Sequence, residues 1–115
     1  MGDTEPSVSP VVINVGGEGE VPGAVNVNGK WLGDPAWRSA REGNPSLREL
    51  KDEGHIFVLA DMDSLPFGDA SVDVVYTNNV CIDAVAFLGP CPTSAEIHRI
   101  LKPSGVWIHD GEVQP

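Results

Sequence analysis

The chain has 115 residues, with 17 Asp and Glu against 7 Lys and Arg, a formal net charge of −10. Its length suggests one domain, and a hydrophobic content of 41% with Val-, Ile- and Leu-rich runs argues against a disordered chain. The charge opposes non-specific nucleic-acid binding, where phosphate neutralisation supplies most of the affinity, and no apolar stretch is long enough to span a bilayer.

Residues 1–10 read as a linker of Gly, Pro, Ser and acids, and residues 11–115 as the domain. Val11-Val12-Ile13-Asn14-Val15 is a β-branched run that predicts a first, central strand. Gly16-Gly17-Glu18-Gly19-Glu20 follows as a loop whose glycines let backbone approach a ligand and adopt positive φ. Val21-Pro22-Gly23 then stands where a crossover helix is needed, and Ala24-Val25-Asn26-Val27-Asn28 already reads as the second strand. Parallel neighbours usually need a crossover of a dozen or more residues, so an antiparallel pairing or a reordered sheet stays open. Asn28 reads equally as a hydroxyl-binding amide and as a turn residue before Gly29.

Gly29 to Gly33 is a loop carrying Trp31. Asp34 before Pro35 predicts a short helix over 35–42. Asn44 before Pro45 repeats the signal for a helix over 45–53, ended by Gly54. Leu47, Leu50 and Trp37 read as core; Trp31 and Trp37 are alternatively pocket walls. Residues 55–60 predict a third strand with Asp61 and Met62 at its carboxyl end, and residues 72–76 a fourth ending at Asn78 and Asn79. Residues 80–88 predict an apolar helix whose single charge, Asp83, reads as a base or substrate anchor or as a cap on a neighbouring element. Thr93-Ser94-Ala95-Glu96 is a capping box opening a helix with Ile97, Ile100 and Leu101 inward and His98 and Arg99 in solvent. Pro103 stops it, and Gly105 to Asp110 is the fifth strand. His109 or Asp110 could do acid/base work at its end, or be structural. Cys81 and Cys91 form no metal-ligand pattern; they read as two buried thiols, with a disulfide as the alternative.

Strand, polar end, strand, polar end, helix, strand is how a parallel α/β sheet gathers polar groups along one edge. Asp61-Met62-Asp63-Ser64-Leu65-Pro66-Phe67, Asp73-Val74-Val75-Tyr76 and Glu96-Ile97-His98-Arg99-Ile100-Leu101-Lys102-Pro103-Ser104-Gly105 together resemble the second half of a class I S-adenosylmethionine-dependent methyltransferase of type 11. That family reads Asp-Ala-x-x-Leu-Pro-Phe, then an acid and an apolar strand, then Glu-x-x-Arg-x-Leu-Lys-Pro-Gly-Gly. The likeness covers roughly residues 55–110. It implies a Rossmann-like α/β fold, a mostly parallel five-stranded sheet with helices on its faces. Against the family pattern the first crossover helix and the C-terminal strands are lacking. Asn14 stands where the family prefers an acid, and Glu18 where it has a second glycine.

The resemblance implies S-adenosylmethionine as cofactor. Gly16, Gly17, Glu18 and Gly19 would form its loop, Asn28 would meet the ribose, and Asp61 and Met62 the adenine. Asn78, Asn79 and Asp83 would be the candidate catalytic or acceptor-facing residues. Independently, Glu18 and Glu20 repel a pyrophosphate and tolerate ammonium and sulfonium groups, and the Gly-x-Gly-x-x-Gly dinucleotide loop entering a helix is absent. Methyl transfer to an unidentified acceptor is the first expectation. A non-catalytic nucleoside- or partner-binding module is the second, with a homodimer expected through exposed sheet edges. A nucleotide-attacking, NAD-type effector or toxin domain cut from a larger secreted protein is the third. With no signal-peptide pattern, the expected location is cytoplasmic, or within the C-terminal part of an exported protein.

Overall fold

Short β-branched runs separated by turns give β1 (Val12–Val15), β2 (Val25–Asn28), β3 (Ile56–Leu59) and β4 (Val72–Thr77), followed by β5 (Leu101–His109) and β6 (Glu112–Val113). The computed structural model describes residues 10–84 and 90–115. The six strands form one sheet in the order β3-β2-β1-β4-β5-β6. The first five are parallel, and β6 turns back antiparallel on β5. The order 3-2-1-4-5 is that of a Rossmann-like α/β fold, and it places a topological switch between β1 and β4. The five strands expected from the sequence are all present; β6 is a sixth, beginning the antiparallel return.

The direct β1–β2 connection is parallel and the sheet is not reordered. Ile13 pairs with Val25 and Val15 with Val27. β1 has four residues, about 13 Å at ~3.3 Å each, and residues 16–24 can reach roughly 30 Å when extended. A helix is therefore not needed to make the return. A covering loop has unpaired backbone groups, however, and the sheet face beneath it is polar to match. Asn14, Asn26 and Asn28 alternate with Val15, Val25 and Val27 and are buried under the loop. Gly19 N–H donates to Asn26 Oδ1 (3.2 Å), and Asn28 Nδ2 donates to Gly17 O (3.1 Å). Glu20 folds back, its Oε1 accepting from Asn14 Nδ2 (2.8 Å) and from Glu18 N–H (2.7 Å).

The opposite face is the apolar core. Ile13, Val15, Val27, Val75 and Trp107 pack with Leu65 and with Ile97 and Ile100 of α2 (Ser94–Ile100). Burying each such aliphatic side chain stabilises by about 1.5–3 kcal/mol. Leu32 and Leu50 are buried outside that cluster. Leu32 belongs to a single 3₁₀ turn, Lys30–Gly33, that packs on β3; Leu50 belongs to α1 (Leu47–Asp52).

Several sequence expectations are corrected here. No helix forms over 35–42. Asp34 Oδ1 accepts from Ala36 N–H (2.8 Å) and makes a tight turn instead, and the segment lacks an apolar stripe to bury. The helix expected over 45–53 is Leu47–Asp52, capped by Ser46 rather than Asn44; Ser46 and Glu49 exchange both capping-box hydrogen bonds. Asn44 is left-handed (φ 46°), and its side chain donates to Ser39 O. Of the helix expected over 80–88, residues 80–84 are not helical and residues 85–89 lie outside the described part. Asp83 has φ 55°, which a right-handed helix excludes. β5 begins before Pro103, with a register shift between Val72 and Val74 on its partner.

Arg99 is not a solvated surface residue. It donates to Glu96 Oε2 (2.7 Å), Phe67 O (2.9 Å), Leu65 O (2.9 Å) and Asp69 Oδ1 (2.8 Å), clamping the Leu65–Phe67 segment onto α2. Cys81 and Cys91 are joined in a disulfide, not held as thiols. The end of β4 and the approach to α2 bring their Cα atoms to 5.8 Å, within bridging range.

Candidate functional site

The carboxyl edge of the sheet carries a cleft of two adjoining lobes. Trp31, Met62, Asn79 and Val80 wall both of them. The first lobe, about 370 Å³, adds Lys30, Asp61 and the Cys81–Cys91 disulfide. The second, about 590 Å³, adds Gly16, Glu18, Asn28, Asn78 and Asp110. These volumes lie in the range of small-ligand sites. The strand ends at Gly16, Asp61 and Asn78 therefore open onto one continuous concavity beside the β1/β4 switch.

Each residue is held there by local structure. Gly16 follows β1 with φ 77°, and a Cβ in its place would collide with Val80. Only glycine meets both demands. Asp61 follows β3, whose ladder continues one step as Ala60 N–H donates to Asn28 O (2.9 Å). Ser64 N–H then closes a turn on Asp61 O (3.1 Å), leaving the Asp61 side chain exposed at the lobe. Asn79 is left-handed (φ 56°), a conformation Asn tolerates, and its N–H donates to Asp110 Oδ1 (2.8 Å). That bond ties the ends of β4 and β5 together across the second lobe.

The other sequence candidates are placed differently. Gly17 and Gly19 line neither lobe: Gly17 packs on Asn14 and Asn26, and Gly19 on His55 and Arg41. Glu18 lines the second lobe while its Oε1 accepts from Ser39 Oγ (2.9 Å) and Ala40 N–H (3.0 Å). Asn28 is almost fully buried, and its amide is engaged on Gly17 O and on Gly29 N–H (2.8 Å). One hydrogen and one lone pair of that amide remain for a ligand. Asp83 is outside both lobes. Its carboxylate takes the Ser94 hydroxyl (2.7 Å) and N–H (3.0 Å), which hold its pKa below the usual value, hydroxyl first. It acts as a cap on the start of α2.

Sequence reasoning missed Thr77, which is fully buried at the end of β4. Trp107 Nε1–H donates to Thr77 Oγ1 (2.9 Å), which lies 2.8 Å from His109 Nδ1. The buried hydroxyl hydrogen needs an acceptor, so His109 Nδ1 accepts it and Nε2 carries the proton, facing Asp110 Oδ2 at 3.4 Å. Its position as the last residue of β4, in register with His109 of β5, was the signal that could have found it, once the two strands were paired.

Fold and cleft define a Rossmann-like α/β domain with a two-lobed concavity at the switch point of its sheet. The chain matches the methyltransferase-domain family over residues 37–109, more than half its length, and it belongs to that family. No curated protein and no solved structure matches it. Methyltransferase domains of this kind generally use S-adenosylmethionine as methyl donor, and the residues present fit that molecule. Trp31 and Met62 offer flat and polarisable walls for a purine, beside a carboxylate at Asp61 able to accept from an amino group. The second lobe sets Glu18, Glu20 and Asp110 against one cation among its described lining residues, Arg41, a field that suits ammonium and sulfonium and opposes phosphate. Among the described residues, no group of three or more His, Cys, Asp or Glu side chains could hold a metal ion, and no helix is long and apolar enough to cross a membrane.

Proposed function

We propose that the domain binds S-adenosylmethionine across the two lobes and carries out methyl transfer to an acceptor presented at the end of β4. The observation that supports this most is the shared wall of Trp31, Met62, Asn79 and Val80, which makes the Gly16, Asp61 and Asn78 strand ends parts of one cleft. Asp61 accepts from the adenine amino group and the Met62 backbone meets the ring edge. Asn28 offers its remaining donor and acceptor to the ribose. Gly16 and Glu18 bound the amino-acid end, while Gly17 and Gly19 lay the loop flat on the asparagines. When bound, the cofactor supplies an activated methyl group on sulfur, so the protein needs chiefly to align donor and acceptor. Asn78 and Asn79 orient the acceptor by hydrogen bonds, and Asp110, tied to Asn79, stands ready to take a proton from it.

The second reading, a nucleoside-binding module without transfer, draws support from the prior engagement of Asn28 and from the capping role of Asp83. Calorimetry with S-adenosylmethionine, S-adenosylhomocysteine and NAD separates the readings. The proposal expects binding of the first two, weakened at least about tenfold in Asp61→Ala, since a charged hydrogen bond contributes roughly 1.5–3 kcal/mol. Unchanged affinity in that variant removes the adenine role from Asp61. Consumption of NAD would replace the proposal with a nucleotide-attacking activity.

A further inference from the structure

Acids outnumber bases 17 to 7 in this chain, yet Arg38, Arg48 and Lys51 gather around one groove of about 480 Å³. None of the ion pairs among the described residues uses any of them. Arg38 is fixed in place: its Nη1 donates to Pro35 O (3.0 Å) and Trp37 O (2.8 Å). Among the described residues, no acceptor takes its Nε and Nη2 hydrogens. Arg48 and Lys51 are three residues apart on α1, which puts them on one face of the helix. Glu49 of the same helix accepts from Ser46 N–H (2.8 Å) and does not line the groove, although the Ser46 hydrogen bonds, and after them the nearby Arg38, hold its pKa below the usual value. The groove's own carboxylate, Asp34, has one oxygen on Ala36 N–H. Formally the groove carries +2 in a protein of −10. Its floor includes the half-buried indole of Trp37, which meets Trp31 edge-on at 6.4 Å.

We infer that this groove binds a small phosphate monoester. Guanidinium forks match the geometry of phosphate oxygens, and a dianion balances the local charge. The groove is larger than a bare oxyanion requires, and Trp37 gives an organic substituent an aromatic surface. A polyanion such as nucleic acid is disfavoured by the negative remainder of the surface. The site is distinct from the two-lobed cleft and separated from it by the Trp31–Trp37 pair, so it stands or falls independently of cofactor binding.

Phenyl phosphate titrated into the disulfide-bonded protein at constant ionic strength, followed by tryptophan fluorescence, tests this. The expected result is a saturable change, tighter than for inorganic phosphate, that loses most of its amplitude in Trp37→Phe. Arg48→Glu with Lys51→Glu, both on the exposed helix face, should weaken binding at least about tenfold with an unchanged circular dichroism spectrum. If that double variant loses its fold, Arg48→Gln alone should still weaken binding severalfold. A response that does not saturate, or equal affinity in a folded charge variant, overturns the inference.

Discussion

Replacing Asn14 by an aspartate would install the acid that related sequences are expected to carry, in a side chain of the same shape, yet here it should destabilise the fold. Asn14 is fully buried in the central strand, and its Nδ2 donates to Glu20 Oε1 at 2.8 Å. Asn14 Oδ1 is a buried oxygen with no partner among the described residues. A flipped amide would aim that oxygen at the Glu20 carboxylate, so the orientation is fixed by chemistry. Asn14→Asp would exchange this hydrogen bond for a carboxylate–carboxylate contact. At an effective dielectric constant of about 20, two unit charges at that separation repel by about 6 kcal/mol. Solvent on the outer side of Glu20 screens part of this, leaving a net cost of about 3 kcal/mol, a large share of the ~5–15 kcal/mol that holds a domain of this size together. The repulsion raises the folded-state pKa of the introduced carboxyl above its unfolded value of ~3.9. The penalty is therefore full at neutral pH, shrinks as pH falls below the raised folded value, and vanishes below the unfolded one. Urea denaturation of Asn14→Asp at pH 7 and pH 5 should show the gap to the parent narrowing on acidification. Adding Glu20→Gln should recover much of the loss, because the new amide can donate to the introduced carboxylate while still accepting from Glu18 N–H. Equal stability of Asn14→Asp and the parent at pH 7, or no rescue by the second change, would refute the reading of Glu20 as the acid that closes this loop.

Other consequences are open to measurement. Arg99→Met should lower the urea midpoint and expose the Leu65–Phe67 segment to proteolysis; if that segment keeps its protection, the guanidinium is not its clamp. Reducing Cys81–Cys91, with a sequence separation of 10, should cost roughly 3 kcal/mol by releasing the loop constraint. An unchanged denaturation curve under dithiothreitol would contradict that. Glu96, held low by Arg99 and then by Leu65 N–H, and Asp83, held low by Ser94, have folded pKa values under their ordinary 4.5 and 3.8. Asp73, held low by Val11 N–H and then Lys102, shares this behaviour. Depressed carboxylates contribute stability that is present above the ordinary values and lost as pH falls through the folded ones. Denaturation midpoints should accordingly drop below about pH 4.5, and a midpoint that holds flat to about pH 3 would show these pairs to be unimportant.

Elements with a strong local code were readable from the sequence. The β-branched runs of β1 to β4 and the Thr93–Glu96 signal of α2 fall within a residue or two of their observed places. The missing crossover helix was legible too, since Val21-Pro22-Gly23 cannot start one and strand-like residues follow at once. What the sequence hid was set by partners far along the chain. Asp34-Pro35 looks like a helix start, but the residues after it carry no apolar stripe, and Asp34 Oδ1 takes Ala36 N–H into a tight turn instead. Ser46 with Glu49 was a complete capping signature, overshadowed by Asn44-Pro45 two residues earlier. Arg99 reads as a surface residue until the Leu65 and Phe67 carbonyls, over thirty residues away, are brought to it. The disulfide depends on the end of β4 meeting the approach to α2, a distance that spacing alone does not give. For the cleft, strand ends identified Gly16, Asp61 and Asn78, whereas Thr77 and the cross-strand tie from Asn79 to Asp110 required the β4–β5 register.

The shape of the cleft can be interrogated residue by residue. Amide chemical shifts recorded on the labelled protein during titration with S-adenosylhomocysteine should move together at Gly16, Met62 and Asn79, the three sides of the two lobes, while Arg48 and Lys51 on α1 stay still. Saturating movement confined to any one of these strand ends, or none at millimolar ligand, would contradict a single adenosyl-shaped site at the sheet edge.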